Sequence, residues 1–203
     1  MQYGGYDKVG YTQRDLYNFC HRHKQGTIAA GDAQMVIRHL RERERIDADF
    51  FFRSFTDDQG HLLGLFWCDT QCLLDYAVFG DVIVFDSTYK TNRYNLPFVP
   101  FVRVNHHKRT VVFGCGIISH ENTNSFEWLL RIFSDANIQK HPISVITDGD
   151  LAMQRAIRIV WPNTSHRLCG WHIEQNLVHN IHYDKVKEAF RVFMYDLCSI
   201  EEI

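Results

Sequence analysis

The chain has 203 residues, 45% apolar and 23% charged, with a formal net charge of −2. This composition is typical of a globular chain and excludes disorder over most of its length. No apolar run approaches the roughly 20 residues of a membrane span, and the N-terminus shows no secretory signal, so we expect an intracellular chain without membrane contact. Because a free-standing nucleic-acid binder usually has a basic surplus, any such contact would come from a local patch or from sequence outside these residues.

The start of the chain is predicted to be helical. Thr12 and Asp15 form a capping box for a helix over residues 13–24. A second helical pattern opens at Asp32 and ends in the Arg-rich stretch 38–45. We interpret this stretch as a solvated helix face with alternating charge, and a phosphate-contacting patch is the alternative.

A hairpin and a third helix are predicted to follow. Apolar runs at 49–55 and 61–67 flank a polar connection that ends in glycine, which predicts a β-hairpin. Asp69 is predicted to cap a helix that continues to residue 79. Together, residues 1–80 are interpreted as a small α+β lobe.

Residues 81–182 are predicted to form an α/β core with a mixed sheet flanked by helices. Three strands joined by short turns should be antiparallel neighbours, and a fourth reached through a helix should lie parallel to one of them. Prolines in the second strand indicate an edge strand or an irregular start. Residues 183–203 read as an amphipathic helix with no evident end. The predicted core strands are 82–85, 98–105, 110–119, 143–147 and 165–168, and the helices are 124–137, 151–161 and 170–182.

Two carboxylates stand where predicted strands end, Asp86 and Asp148. Ligands of α/β sheets usually bind at the carboxyl ends of strands, so adjacent parallel strands would bring both acids to one edge. Such oxygen ligands suit Mg²⁺ or Mn²⁺, and a pair of ions could activate a water and stabilise the leaving oxygen of a phosphodiester. The alternative is structural, with Asp86 capping a turn and Asp148 capping the next helix.

Cysteine and histidine spacing offers a second, weaker candidate. Cys169 and His172 are three residues apart, as zinc ligands often are, but a structural site needs four ligands. The alternative is packing, with Cys169 and Trp171 in the core and His172 hydrogen-bonded near the carboxylates. Cys68 and Cys72 are interpreted as buried thiols rather than metal ligands.

Several motifs in order resemble the Mutator-like element transposase domain, and more specifically its domesticated plant relatives, the far-red impaired response family. The likeness covers residues 47–182. It rests on Leu65-Phe66-Trp67-Cys68-Asp69, Asp86-Ser87-Thr88-Tyr89-Lys90-Thr91-Asn92-Arg93-Tyr94, Asn105-His106-His107, Ile146-Thr147-Asp148-Gly149-Asp150 and Cys169-Gly170-Trp171-His172-Ile173.

This resemblance implies a ribonuclease H-like fold. It implies that Asp86 and Asp148 match the first two acids of an Asp-Asp-Glu metal triad, and that Cys169 and His172 match the Cys-x2-His element of such transposases. The plant relatives are nuclear, DNA-binding transcription regulators described as zinc-binding, through finger modules that this chain lacks. The chain also stops at Ile203, before a recognisable third acid, so we expect it to be a fragment of a longer protein.

The expected function is therefore that of a transposase-derived nuclear regulator, with DNA and family members as partners and no small-molecule cofactor. The alternative is a fragment of an active transposase that uses two-metal chemistry. An unrelated hydrolase ranks last, because no G-x-S-x-G nucleophile elbow is present. Basic and imidazole side chains interpreted as DNA contacts near the acidic edge, or else as solvated loop residues, are Lys90, Arg93, His106, His107, Lys108 and Arg109.

Overall fold

The computed structural model describes residues 32–58, 61–88 and 96–195, and the chain divides into two compact units, Met1–Ile46 and Asp47–Ile203. In the first unit, helix α1 covers Asp32–Ile46, which confirms the second predicted helix. The arginines in its last two turns are exposed. The helix predicted over residues 13–24 lies outside the described residues.

The second unit is a seven-stranded mixed sheet with helices packed against it, in the order β1-β2-β5-β4-β3-β6-β7. The α/β class and the mixed sheet are therefore confirmed. None of the described helices is long and apolar enough to cross a membrane. The strands are β1 (Phe51–Thr56), β2 (Leu62–Cys68), β3 (Val82–Phe85), β4 (Phe98–Val104), β5 (Thr110–Ile118), β6 (Ser144–Thr147) and β7 (Ser165–Leu168). The helices are α2 (Thr70–Phe79), α3 (Thr123–Ala136), α4 (Leu151–Val160), α5 (Gly170–Asn180) and α6 (Asp184–Tyr195).

The hairpin β1–β2 is part of the core sheet. Its second strand pairs antiparallel with β5, from Gly64 opposite Ile118 to Trp67 opposite Cys115. The sequence analysis placed this hairpin in a preceding lobe, whereas the structure hydrogen-bonds it to the sheet that carries the candidate acids. The core sheet consequently extends two strands beyond β5.

Strand directions follow the predicted rule. β3, β4 and β5 are successive antiparallel neighbours, and β6, reached through α3, is parallel to β3. The edge-strand alternative for β4 is wrong, because β4 lies between β5 and β3. Pro100 is tolerated there because the pairing of β3 with β4 ends at Phe85 opposite Phe101, so Pro100 lies just past the paired stretch.

The core is built around aromatic side chains from the sheet and from α3. Phe133 stacks on Phe101 with ring centroids 4.5 Å apart and meets Tyr76 edge-on at 5.0 Å. Its neighbours in α3 at helical spacing, including Leu129, are fully buried, which is the amphipathic pattern that the sequence predicted. The Trp161 indole donates to Ser134 Oγ at 2.8 Å, so the polar atom of this buried ring is paired.

We expect Leu129→Ala to lower the free energy of unfolding by about 2–5 kcal/mol, because it leaves a cavity in the core. Urea denaturation followed by circular dichroism measures this change. The matched control is Leu74→Ala, since Leu74 is 58% exposed in α2 and should change stability by no more than about 0.5 kcal/mol. Equal losses in the two variants would contradict the packing of α3 against the sheet.

Candidate functional site

The two predicted acids lie at the same edge of the sheet. β3 and β6 are adjacent and parallel, with Val84 opposite Ile146. Asp86 and Asp148 each follow this pair by two residues, so the register places them side by side where the two strands end. The predicted convergence of the two carboxylates therefore has its structural basis in one strand pair.

Both oxygens of the Asp86 carboxylate have protein partners. Oδ1 accepts from the Ser87 backbone N–H at 2.7 Å, and Oδ2 lies 3.2 Å from Nε2 of His172. Burial and the negative charge of Asp148 raise the pKa of Asp86, and His172 and the Ser87 N–H oppose that shift in part. Asp86 therefore caps the turn into Ser87, as the structural alternative predicted, and it also belongs to a charged cluster with Asp148 and His172.

The turn from β6 into α4 fixes the second acid. Gly149 has φ +99°, in the region that favours glycine, and this lets the chain reverse sharply. Asp148 Oδ1 accepts the backbone N–H of Asp150 at 2.9 Å. Asp150 Oδ1 in turn accepts the Met153 N–H at 2.8 Å and is the N-cap of α4. The helix-cap alternative was therefore wrong for Asp148, because Asp150 has that role.

A further carboxylate, which the sequence analysis missed, belongs to the same edge. Glu121 lies in the connection from β5 to α3 and accepts a hydrogen bond from the Ser87 hydroxyl. Burial raises its pKa, and the charges of Asp150, Asp148 and Asp86 add to that rise while the Ser87 hydroxyl opposes it. Nothing in the local sequence marks this Glu, because only the tertiary fold brings β5 and β3 to a common edge.

The Cys-x2-His element begins α5 beside this edge. Cys169 is the N-cap residue, and its N–H donates to the Thr147 carbonyl at 2.7 Å, which places His172 one turn on against Asp86. The packing alternative is therefore confirmed for His172, which contacts Asp86. It is wrong for Trp171, which is 59% exposed, and for Cys169, which is half-buried rather than part of the core. His172 Nδ1 is buried and has no hydrogen-bond partner within the described residues.

The side-chain atoms available at this edge decide which metal ion would suit it. The oxygens of Asp86 and Asp148 are the hard ligands that Mg²⁺ and Mn²⁺ prefer, so these two residues fit such an ion in chemistry. Within residues 32–58, 61–88 and 96–195, no three His, Cys, Asp or Glu side chains are arranged to hold a metal. Zinc binding by Cys169 and His172 stays a prediction.

The cysteines of the hairpin region are thiols rather than thiolates. Burial raises the pKa of Cys68 and of Cys72 to about 12, and that of Cys115 to about 11. Cys68 is buried and Cys72 is half-buried, which agrees with the interpretation of both as thiols packed in the interior.

The structure describes four of the six residues predicted to contact DNA, the turn His106–Arg109. Lys90 and Arg93 lie outside the described residues. The turn His106–Arg109 follows β4, which runs antiparallel to β3, and the His106 ring is 5.7 Å from Phe79, just before β3. The expectation that this turn lies near the acids is therefore wrong, because it is at the opposite end of the sheet.

Replacing one acid should change the titration of the other. Asp148→Asn removes a negative charge beside Asp86, so we expect the pKa of Asp86 to fall toward its ordinary value in a carbon-detected carboxyl titration by NMR. The control is Asp135→Asn, since Asp135 lies near the far end of the 14-residue helix α3 and should leave the Asp86 titration unchanged. An unchanged Asp86 pKa in Asp148→Asn would contradict the proximity of the two carboxylates.

Comparisons with known proteins agree with this geometry. Residues 82–176, which contain both acids and His172, match the MULE transposase domain. Protein FAR1-RELATED SEQUENCE 5 of Arabidopsis thaliana is 38% identical over 172 residues, which cover 85% of this chain and 22% of the relative. Protein FAR1-RELATED SEQUENCE 4 is 34% identical over 77% of the chain and 21% of its own length, and Protein FAR-RED IMPAIRED RESPONSE 1 is 29% identical over 87% and 21%, both from the same plant.

The chain thus spans about a fifth of the length of these curated relatives. The shared region nevertheless covers most of the chain, including the strands that carry the two acids. The chain therefore carries a MULE transposase domain and is related in sequence to the FAR1-related proteins.

Proposed function

We propose that this chain is the transposase-derived core of a nuclear, DNA-associated transcription regulator of the far-red impaired response type. The core would have a ribonuclease H-like fold. An antiparallel β3-β4-β5 arrangement continued by parallel β6 and β7, with acids after β3 and β6, supports that assignment. Its similarity to Protein FAR-RED IMPAIRED RESPONSE 1 supports the regulatory assignment.

The observation that carries the proposal is that both carboxylate oxygens of Asp86 already have partners within the chain. One carboxylate oxygen accepts the Ser87 N–H, and the other faces Nε2 of His172. A protonated His172 would balance the charge that Asp86 and Asp148 concentrate at this edge. The acids then help to hold the start of α5 against the sheet, which is a structural task in a regulator.

An active transposase is the second candidate, and the level placement of Asp86 and Asp148 favours it. These residues would hold Mg²⁺ or Mn²⁺, which supplies activation of the attacking water or hydroxyl and stabilisation of the leaving oxygen. His172 would then orient the Asp86 carboxylate. Divalent-dependent DNA cleavage by a version extended past Ile203, absent in Asp86→Asn, would establish this candidate over the regulator.

The connection from β3 to β4 indicates where DNA would meet the sheet, because the structure describes the residues on either side of it. The backbone N–H of Thr88 donates to the Phe98 carbonyl at 2.8 Å, two residues after Asp86. The described residues on either side of Lys90 and Arg93 in the chain, Thr88 and Phe98, therefore lie at the acidic edge. The basic turn Lys108–Arg109, in contrast, lies at the far end. The pair Lys90 and Arg93 and the pair Lys108 and Arg109 are matched in charge.

If DNA binds along the acidic edge, the double variant Lys90→Ala/Arg93→Ala should weaken binding and reduce the slope of log affinity against log salt by about 1.8, the value for two phosphate contacts on a duplex. The matched variant Lys108→Ala/Arg109→Ala should change neither quantity. Fluorescence anisotropy with a labelled duplex over a salt series measures both. A larger effect of the second pair would move the DNA to the opposite end, and no binding by the wild-type chain would contradict DNA association.

A further inference from the structure

A small cavity lies where β1, β2 and β5 meet the start of α3, and no role has been assigned to it above. Its volume is about 220 Å³, smaller than the roughly 300–1,000 Å³ of pockets for drug-sized ligands, so it suits one ring system. We call it the edge cavity. Its lining includes Phe55, Leu63, Ile118, His120, Asn122 and Trp128.

The edge cavity and the carboxylates share one short connection. β5 runs parallel to β3, since both are antiparallel to β4, so the chain leaves β5 at the edge where Asp86 leaves β3. His120 and Asn122 line the cavity, whereas Glu121 between them accepts a hydrogen bond from Ser87. A ligand in the cavity would therefore contact the two residues that flank Glu121 in this connection.

One wall of the edge cavity is aromatic and fixed in place. Phe55 and Trp128 have ring centroids 6.2 Å apart and planes inclined by 32°. A Cβ added at Gly64 would come within 2.7 Å of the Trp128 ring, so the indole lies directly against the β2 backbone and has little freedom. Phe55 itself is 48% exposed, which leaves ring surface for a ligand.

The opposite wall is polar and, as the structure describes it, carries no carboxylate. His120 Nδ1 lies 2.9 Å from Ser119 Oγ, and Asn122 caps α3 by accepting the Ser125 N–H at 2.9 Å. These contacts hold an imidazole and an amide around the cavity. Aromatic surface together with hydrogen-bonding side chains suits a flat ring with polar edges.

We propose that the edge cavity binds a single unpaired nucleobase of a DNA strand whose backbone passes the carboxylate edge, an inference that rests on the proposed association with DNA. Aromatic side chains bind bases through their faces with little sequence preference. A base within a duplex is stacked on both faces and paired along its edge, so only an unpaired base can enter. The cavity would thus favour DNA with a single-stranded end over fully paired DNA.

The test compares two labelled duplexes of equal paired length, one blunt and one with a short single-stranded overhang that carries 2-aminopurine. We expect the wild-type chain to bind the overhang duplex more tightly and to change the 2-aminopurine fluorescence. Phe55→Ala should weaken binding of the overhang duplex by about 5- to 150-fold, the range for loss of one base–aromatic stack, and leave blunt-duplex affinity unchanged.

Two further variants separate stacking from general damage. Phe55→Tyr keeps an aromatic face and should restore the preference for the overhang. Phe193→Ala removes another exposed phenylalanine, 62% exposed in α6 and not part of the cavity lining, and should have no effect.

Each failure has a distinct meaning. Equal affinity for both duplexes, or an overhang preference that survives Phe55→Ala, would overturn the base-binding cavity while DNA association stands. If the wild-type chain binds neither duplex, both the cavity assignment and the proposed function are overturned.

Discussion

The parallel pairing of β3 with β6 is the contact on which the candidate site depends. It brings the carboxylates of Asp86 and Asp148 to the same end of the sheet, although the two residues are 62 positions apart in the chain, the difference of their numbers. The electrostatic consequence is visible in the raised pKa of Asp86, to which burial and Asp148 both contribute. His172, in the first turn of α5, opposes this rise in the pKa of Asp86. The Cys-x2-His element and the two acids therefore form one unit.

The connection from β5 to α3 couples this unit to the rest of the edge. Glu121 joins it to Ser87 beside the acids, and the flanking His120 and Asn122 face the edge cavity. The buried stripe of α3 sets this connection against the sheet, since Phe126, Leu129 and Phe133 are fully buried. The packing of α3 therefore positions the polar side chains of His120, Glu121 and Asn122, which are not themselves part of the core.

Much of this fold could be predicted from the sequence, because each strand and helix has its own hydrophobic period and the short turns restrict the topology. The two acids could be predicted too, since they directly follow buried strands. Glu121 and the edge cavity could not, because they arise where distant strands meet. The turn His106–Arg109 was misplaced because nearness in sequence was taken as nearness in space, whereas an antiparallel strand carries its turn to the opposite end.

The most direct test of the central claim, that Asp86 and Asp148 form one site, is calorimetric titration of the chain with Mn²⁺. We predict binding by the wild type that is lost in both Asp86→Asn and Asp148→Asn, because each variant removes an oxygen ligand of the same ion. Circular dichroism of each variant shows whether it remains folded. Binding that persists unchanged in either folded variant would contradict a shared carboxylate site at this edge, and no binding by the folded wild type would leave the two acids with the structural role alone.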